Sequence, residues 1–82
     1  MNEKIRQVIA QHARLGVDVA TLSDDADLYD AGMTSQASVN VMLGLEDTFD
    51  VEFPDRMLQR SVFASVSSIA AALEELEVEV AS

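Results

Sequence analysis

The sequence predicts an all-α protein: a small four-helix bundle of three main helices and one short helix, with a long loop between the first two helices. Four segments place apolar residues at the spacing of an amphipathic helix, and no two alternating segments are joined by hairpin turn residues. The chain has 82 residues, of which 49% are hydrophobic. That length fits one small domain, so we expect a single domain over residues 1–82.

The first predicted helix spans residues 3–14, with Ile5, Val8 and Ile9 on one face. The second spans residues 35–49, and either Thr34 or Ser35 has the side-chain oxygen that an N-cap needs. The predicted apolar face of this second helix comprises Ser38, Val39, Val41, Met42, Leu43, Leu45 and Phe49.

The third predicted helix is short, residues 55–59, and begins after Pro54, because proline is tolerated at a helix start. The fourth spans residues 66–76, with Ser65 as its N-cap and Val66, Ile69, Ala70, Leu73 and Leu76 facing inward. Residues 77–82 alternate Glu and Val before the chain end, and we expect this tail to be frayed.

The connection over residues 16–34 is longer than the ~12–15 residues of an ordinary loop. Apolar residues recur along it and just before it, which predicts that the loop packs against the helices as a unit. These residues are Leu15, Val17, Val19, Leu22, Leu28 and Tyr29.

Composition excludes several classes of function. The formal net charge is −10 and the chain contains no cysteine, so nucleic-acid phosphates would be repelled and neither disulfides nor thiolate sites can form. No apolar run reaches the ~18 residues of a membrane span. We therefore expect a cytoplasmic protein that binds neither nucleic acid nor membrane.

The acidic residues are concentrated between residues 18 and 55, which contain ten acids and no base. One interpretation is a solvated face that keeps a small domain in solution; the other is a docking surface that steers basic partners. A calcium loop counted from Asp25 fails, because its fifth, sixth and twelfth positions are Tyr29, Asp30 and Gln36. We predict no metal site.

Catalysis has little support in the sequence. His12 is the only histidine, and it lies among apolar residues of the first helix, as packing or surface histidines do. The carboxylates follow surface patterns and do not occupy an apolar pocket that would tune them. We therefore predict a protein that is not an enzyme.

Residues 30–37, which read DAGMTSQA, combine a turn at Gly32 with two hydroxyl residues at the start of the second helix. Locally, this pattern requires no more than a helix cap. A helix N-terminus also has free N–H groups and a positive dipole end, and both stabilise a phosphate. A serine at this position is thus suited to carry a phosphodiester.

The segment Leu28 to Ser35, LYDAGMTS, resembles the modification loop of acyl carrier proteins, in which a Gly-hydrophobic-Asp-Ser-Leu motif carries 4′-phosphopantetheine on its serine. Residues 45–55, LEDTFDVEFPD, are similar to the Leu-Glu-Glu-x-Phe-x-x-x-hydrophobic-Pro segment of the same family. The resemblance extends from about Ile5 to Leu76.

The resemblance implies that Ser35 carries phosphopantetheine taken from coenzyme A, and that acyl or aminoacyl groups are held on it as thioesters. The implied partners are a phosphopantetheinyl transferase, a loading ligase and a downstream transferase or synthase, with the carrier itself a monomer. The family's recognition helix corresponds to the second helix, and the partner-binding positions implied around it are Met33, Thr34, Gln36, Ala37, Asn40, Leu43, Glu46 and Asp47.

The chain departs from the family pattern around the serine. Thr34 replaces the usual Asp, and Gln36 replaces the usual Leu. Arg56 and Arg60 add positive charge to a commonly acidic segment. These departures predict a specialised stand-alone carrier of polyketide, peptide or amino-acid type. In such a carrier, we expect bulky residues to fill the space of an acyl pocket, namely Leu45, Phe53, Leu58, Val62 and Phe63.

A second hypothesis remains open on the sequence alone: an acidic helical adaptor that binds basic partner proteins and is never modified. The two hypotheses differ at Ser35, because a carrier requires its hydroxyl group. An adaptor requires only a helix cap and an acidic face.

Overall fold

The computed structural model describes residues 2–13 and 15–81, with side chains described for residues 3–13 and 15–76. The described residues form three helices, namely α1 (Asn2–His12), α2 (Ser35–Phe49) and α3 (Val66–Ala81). Three short 3₁₀ turns lie between them, at Val19–Thr21, Asp55–Met57 and Arg60–Phe63. No residue in the described ranges forms a strand, and the predicted all-α class is confirmed.

The short helix predicted over residues 55–59 is present as a 3₁₀ turn over Asp55–Met57. The Met57 N–H donates to the Pro54 carbonyl and the Leu58 N–H to the Asp55 carbonyl, at 2.9 and 3.1 Å. These are the i to i+3 bonds of a 3₁₀ turn. Pro54 makes no side-chain cap, and so short a segment does not offset the free-energy cost of starting an α-helix.

The ends of the other helices agree more closely with the predictions. The bounds of α2 are as predicted, and α3 begins at Val66 and continues to Ala81. The prediction of a frayed tail concerns residues 77–82, whose side chains lie outside the described residues, so it stays a prediction. The predicted end of α1, Arg14, is also outside them. No helix of the described residues is long and apolar enough to cross a membrane.

The core lies where α1 packs against both α2 and α3. Its fully buried side chains include Ile5 and Ile9 of α1, Leu45 of α2 and Ile69 of α3. The predicted apolar face of α2 was too wide, because its neighbours cover only part of that face. Val39 and Leu43, the residues that widen this face, are 47% and 53% exposed, which for Leu43 agrees with its predicted place among the partner-binding positions.

The long loop packs against the helices, as predicted. Val19 and Leu28 are buried, and the Leu28 N–H donates to the Ala64 carbonyl at 2.7 Å. Arg6 of α1 reaches into the loop, with Nη1 donating to the Val19 carbonyl and Nη2 to the Asp24 carboxylate, both at 2.6 Å. The loop is thereby held to α1 and to the start of α3, and its last residues lead directly into α2.

Candidate functional site

The turn before α2 fixes the direction in which the helix begins. The Gly32 N–H donates to the Tyr29 carbonyl at 3.1 Å, and the Met33 N–H donates to the Leu28 carbonyl at 3.0 Å. Gly32 has φ +113°, a conformation that is strained for any residue with a Cβ. The glycine is therefore needed to close the turn that places Ser35 at the N-terminal end of α2.

Thr34 is the N-cap of α2, which decides between the two predicted caps. Its Oγ1 accepts the Ala37 N–H at 3.0 Å, and its extended backbone, φ −84° and ψ 167°, is typical of a cap. Ser35 is the first residue of the helix, and it is exposed. Its hydroxyl group is thus open to another protein at the positive end of the helix dipole.

An apolar groove begins at Ser35 and runs between α2 and the last 3₁₀ turn. Its volume is about 330 Å³, and its lining residues are Tyr29, Ser35, Ser38, Val39, Met42, Leu58, Gln59, Arg60 and Phe63. The Arg60 guanidinium carbon lies 4.0 Å from the centre of the Tyr29 ring, close enough for a cation–π contact.

The bulky residues predicted to fill the space of an acyl pocket divide between the core and the border of this groove. Leu45 and Phe53 are buried in the core, where Phe53 packs edge to face on Phe63 with ring centres 5.4 Å apart. Leu58 is 45% exposed and lines the groove together with Phe63. The groove is therefore bordered by Leu58 and Phe63 and remains open, whereas Leu45 and Phe53 lie in the core.

The predicted partner-binding residues differ in how far they are exposed to solvent. Gln36, Asn40, Leu43 and Asp47 are exposed, and their spacing along α2 places them on one side of the helix. Thr34 is exposed beside them, although its oxygen is used by the cap.

Two of the predicted partner-binding positions are buried. Met33 is only 3% exposed and Ala37 only 9%, so each offers little side-chain surface in this structure. The turn at Gly32 directs Met33 into the core, and Ala37 lies on the inner side of the first turn of α2. Exposure at these positions depends on how the loop packs, and the spacing of residues in a motif does not predict that packing.

Glu46 has a structural partner that the sequence did not reveal. Its Oε2 accepts the Phe53 N–H at 2.8 Å, across the bend where Asp50 takes a left-handed conformation with φ 54°. The carboxylate therefore holds the connection that follows α2. No local pattern predicts this bond, because it depends on the chain reversing at Asp50.

The sequence also missed the groove residues near Ser35. Val39 and Met42 follow Ser35 by four and seven positions, which is the spacing of one helix face, so the α2 wall was open to prediction. Tyr29 and Arg60 come from two distant segments, and only the packed loop brings them together.

The model of a protein family described as the phosphopantetheine attachment site matches residues 3–73. The chain belongs to this family of phosphopantetheine-dependent carrier proteins. An aminoacyl carrier protein of Agrobacterium fabrum is 51% identical over 69 residues, 84% of this chain and 83% of its own length. An acyl carrier protein of Akkermansia muciniphila is 30% identical over 78 residues, 94% of this chain and 92% of its own length.

The carrier protein is also similar to a solved structure. A crystal structure of an engineered Bradyrhizobium japonicum glycine:[carrier protein] ligase, complexed with carrier protein from Agrobacterium tumefaciens and AMP, contains a chain that matches with TM-score 0.88 and 47% identity. The match covers 90% of this chain and 99% of that chain.

Family membership decides between the two hypotheses that the sequence left open. The protein is a carrier whose cofactor is covalently attached phosphopantetheine, and it serves as a substrate of other enzymes. The family match does not support the hypothesis of an unmodified adaptor. The exposed serine, the free helix end and the open groove fit such a group, because they provide a hydroxyl, an environment that favours an anion and space beside both.

Proposed function

We propose that Ser35 is the attachment residue, and that this carrier protein holds aminoacyl groups as thioesters. One observation supports Ser35 above all: its hydroxyl is exposed on the first residue of α2, directly after the capping Thr34 and at the opening of the groove. The arm, once attached, ends in a thiol that accepts the cargo, and the chain itself contains no cysteine that would compete.

The attachment reaction requires little of the carrier beyond an accessible hydroxyl. The Ser35 oxygen forms a bond to the phosphorus of the phosphopantetheine half of coenzyme A, and the diphosphate bond of coenzyme A breaks. Adenosine 3′,5′-bisphosphate leaves, and a base on the phosphopantetheinyl transferase takes the hydroxyl proton. The N-terminal N–H groups of α2 then face the new phosphodiester and stabilise its negative charge.

Aminoacyl cargo has the best support among the cargo classes. The Agrobacterium fabrum relative bears the name aminoacyl carrier protein, and the matched carrier structure is a complex with a glycine:[carrier protein] ligase. We propose a ligase of that kind as the loading partner and an aminoacyl transferase as the downstream partner. The cytoplasm, where coenzyme A and ATP supply both reactions, is the proposed location.

The exposed side of α2 is the proposed contact surface for these partners. Leu43 contributes apolar area and Asp47 contributes charge, and Gln36 and Asn40 lie between Asp47 and the serine end. Glu46 is set apart from this surface, because its carboxylate already binds the Phe53 N–H.

The attachment is tested by intact-mass measurement after incubation with coenzyme A and a broad-specificity phosphopantetheinyl transferase. The wild type should gain the mass of one phosphopantetheine, and Ser35→Ala should gain none. Ser38→Ala is the matched control, because Ser38 lies one turn further along α2 beside the same groove. This variant protein should gain one phosphopantetheine, as the wild type does. Modification that persists in Ser35→Ala would refute the assignment.

The cargo is tested on the phosphopantetheine form with ATP, a glycine:[carrier protein] ligase and single amino acids. A further mass increase equal to one aminoacyl group, removed by hydroxylamine, is expected. An acyl-loading enzyme supplied with fatty acid serves as the comparison. Loading by the fatty-acid enzyme alone would show that the carrier belongs to a different pathway class.

A further inference from the structure

We infer that the cleft between the end of α1 and α2 is a contact surface for the aminoacyl-loading ligase, and that Gln11 of α1 is a specificity-determining residue for that partner. The inference rests on the proposed function, because it takes the ligase as the loading partner. It goes beyond that function by extending the contact surface from α2 onto α1, on the side of α2 away from the groove at Ser35.

The α1–α2 cleft follows α2 from its start. It consists of two adjoining depressions of about 350 and 450 Å³, which share Gln11, His12 and Asn40 as lining residues. One depression reaches Thr34, directly before Ser35, and the other reaches Asp47. The helical rise over this length of chain is about 20 Å, so a protein seated over Ser35 can also cover the cleft.

A glycine on α2 brings the end of α1 into this surface. A Cβ at Gly44 would lie 2.7 Å from His12 Cδ2 and 2.8 Å from His12 Nε2, so this edge of the imidazole ring faces α2. Because His12 is exposed, the opposite edge of the ring faces solvent. The end of α1 and the adjoining side of α2 therefore present one continuous surface to a partner.

The polar side chains of the cleft are available for intermolecular bonds. Gln11, Asn40 and Asp47 are exposed, and among the described residues none of the three forms a side-chain hydrogen bond or an ion pair. Asp47 is the one acidic residue that lines the cleft, and no lysine or arginine of the described residues lines it. A surface that offers a basic side chain to Asp47 and polar groups to the two amides is complementary.

These groups fit a polar, basic segment of the ligase. The net charge of −10 favours the approach of basic surfaces. The amides of Gln11 and Asn40 add selectivity, because a partner that buried them without a hydrogen bond would leave polar groups unpaired at a cost in free energy. A broad-specificity phosphopantetheinyl transferase modifies carriers of many sequences, so its activity should not depend on these amides.

Two glutamines one turn apart on α1 provide a matched test. Gln11→Lys adds a positive charge within the cleft. Gln7→Lys adds the same charge to the same helix outside it, since Gln7 is exposed and lines neither depression. With the phosphopantetheine form and a glycine:[carrier protein] ligase, Gln11→Lys should raise the KM for the carrier about 5- to 10-fold and leave kcat nearly unchanged, because it loses a hydrogen bond and adds a like-charge contact. Gln7→Lys should change this KM by less than about 2-fold.

Three further measurements separate docking from chemistry and from folding. Calorimetric titration of the ligase without ATP should show the same ratios in the Kd for the carrier. Gln11→Ala, which adds no charge, should raise that Kd about 2- to 5-fold through the loss of one hydrogen bond. All these variants should gain phosphopantetheine at the wild-type rate and unfold at the wild-type denaturant concentration, because both glutamines are exposed.

The outcomes distinguish this inference from the proposed function. A wild type that the ligase does not load would refute both. Loading with equal KM for Gln11→Lys and Gln7→Lys would refute the role of the cleft alone. Slower modification of Gln11→Lys by the transferase, to the same degree as its loading, would overturn the selection of the ligase. Weaker ligase binding that accompanies a loss of stability in both Gln11 variants would assign Gln11 a structural role and would also overturn the inference.

Discussion

At the scale of single residues, Thr34 keeps one of the two roles that an aspartate usually has at this position in the family. Its hydroxyl oxygen caps α2 by accepting the Ala37 N–H at 3.0 Å, as an aspartate would. It adds no charge next to Ser35, so the serine end of the helix has no acid in its first turn. Thr34 therefore provides the cap, but it offers no carboxylate to a partner.

Replacing Thr34 should separate these two roles. Thr34→Asp keeps a capping oxygen and adds a carboxylate, and it should speed modification by a fatty-acid-type transferase by about 2- to 5-fold, the effect of one exposed ion pair. The reason is faster association with a basic partner. Initial rates of mass gain at limiting carrier concentration provide the measurement.

Thr34→Ala is the matched control, because it removes the cap without adding charge. It should lower the free energy of unfolding by about 1 kcal/mol, measured by urea denaturation, and should not speed modification. An unchanged or slower rate for Thr34→Asp would show that this position does not set the preference among transferases.

At the scale of elements, the approach of α1 to α2 depends on a glycine. A Cβ at Gly44 would lie 2.7 Å from His12 Cδ2 and 2.9 Å from Val8 Cγ1. His12, the only histidine of the sequence, thus lies beside α2 at this glycine. Glycine is unfavourable within a helix, so its presence at Gly44 reflects the packing of the two helices.

Gly44→Ala should lower the free energy of unfolding by about 1 kcal/mol, because overpacking costs ~1–3 kcal/mol and the gain in helix propensity offsets about 1 kcal/mol of it. Chemical denaturation measures the change. Gly16→Ala is the control, since nothing lies within 4 Å of its added Cβ. In a Val8→Ala, His12→Ala background, Gly44→Ala should become stabilising; equal destabilisation in both backgrounds would contradict the packing explanation.

At the scale of the whole molecule, charge is the dominant surface property. The net charge is −10, with ten acids and no base between residues 18 and 55. Two arginines outside this stretch form ion pairs within the chain, Arg6 with Asp24 and Arg56 with Glu75. The field that remains favours the approach of basic partners, although each exposed contact contributes only about 0.2–1 kcal/mol.

Asp47→Lys should slow loading by the cognate ligase and flatten its dependence on salt, because exposed charges are screened beyond ~8–10 Å at physiological ionic strength. The change in loading rate should be about 2- to 5-fold at low salt, with unchanged unfolding. The measurement is the loading rate from about 0.05 to 0.5 M ionic strength.

Glu46→Lys would confuse this test, since it also removes the bond to the Phe53 N–H. Asp18→Lys, away from α2, is a better control for net charge alone, provided that its loss as the cap of the first 3₁₀ turn is checked by denaturation. A wild-type loading rate that is independent of salt would indicate recognition through apolar positions, with Leu43 the first to replace.

Local patterns in the sequence were enough for the helices and the attachment loop. The apolar spacing predicted α2 with its correct bounds, and the hydroxyl residues beside Gly32 predicted a capped helix start. Ser65 caps α3 as predicted, with its Oγ accepting the Ser68 N–H at 3.1 Å. These features depend on residues within one or two turns of each other, so the sequence contains the information that forms them.

Tertiary structure alone decided which of these residues are available to a ligand or a partner. Met33 is buried and Val39 exposed, Glu46 is used on the Phe53 N–H, and Tyr29 meets Arg60 beside Ser35. Each outcome depends on segments far apart in the chain that approach only when the long loop and the 3₁₀ turns pack. Local propensity does not predict these long-range contacts, because burial and contacts between distant segments are properties of the packed chain.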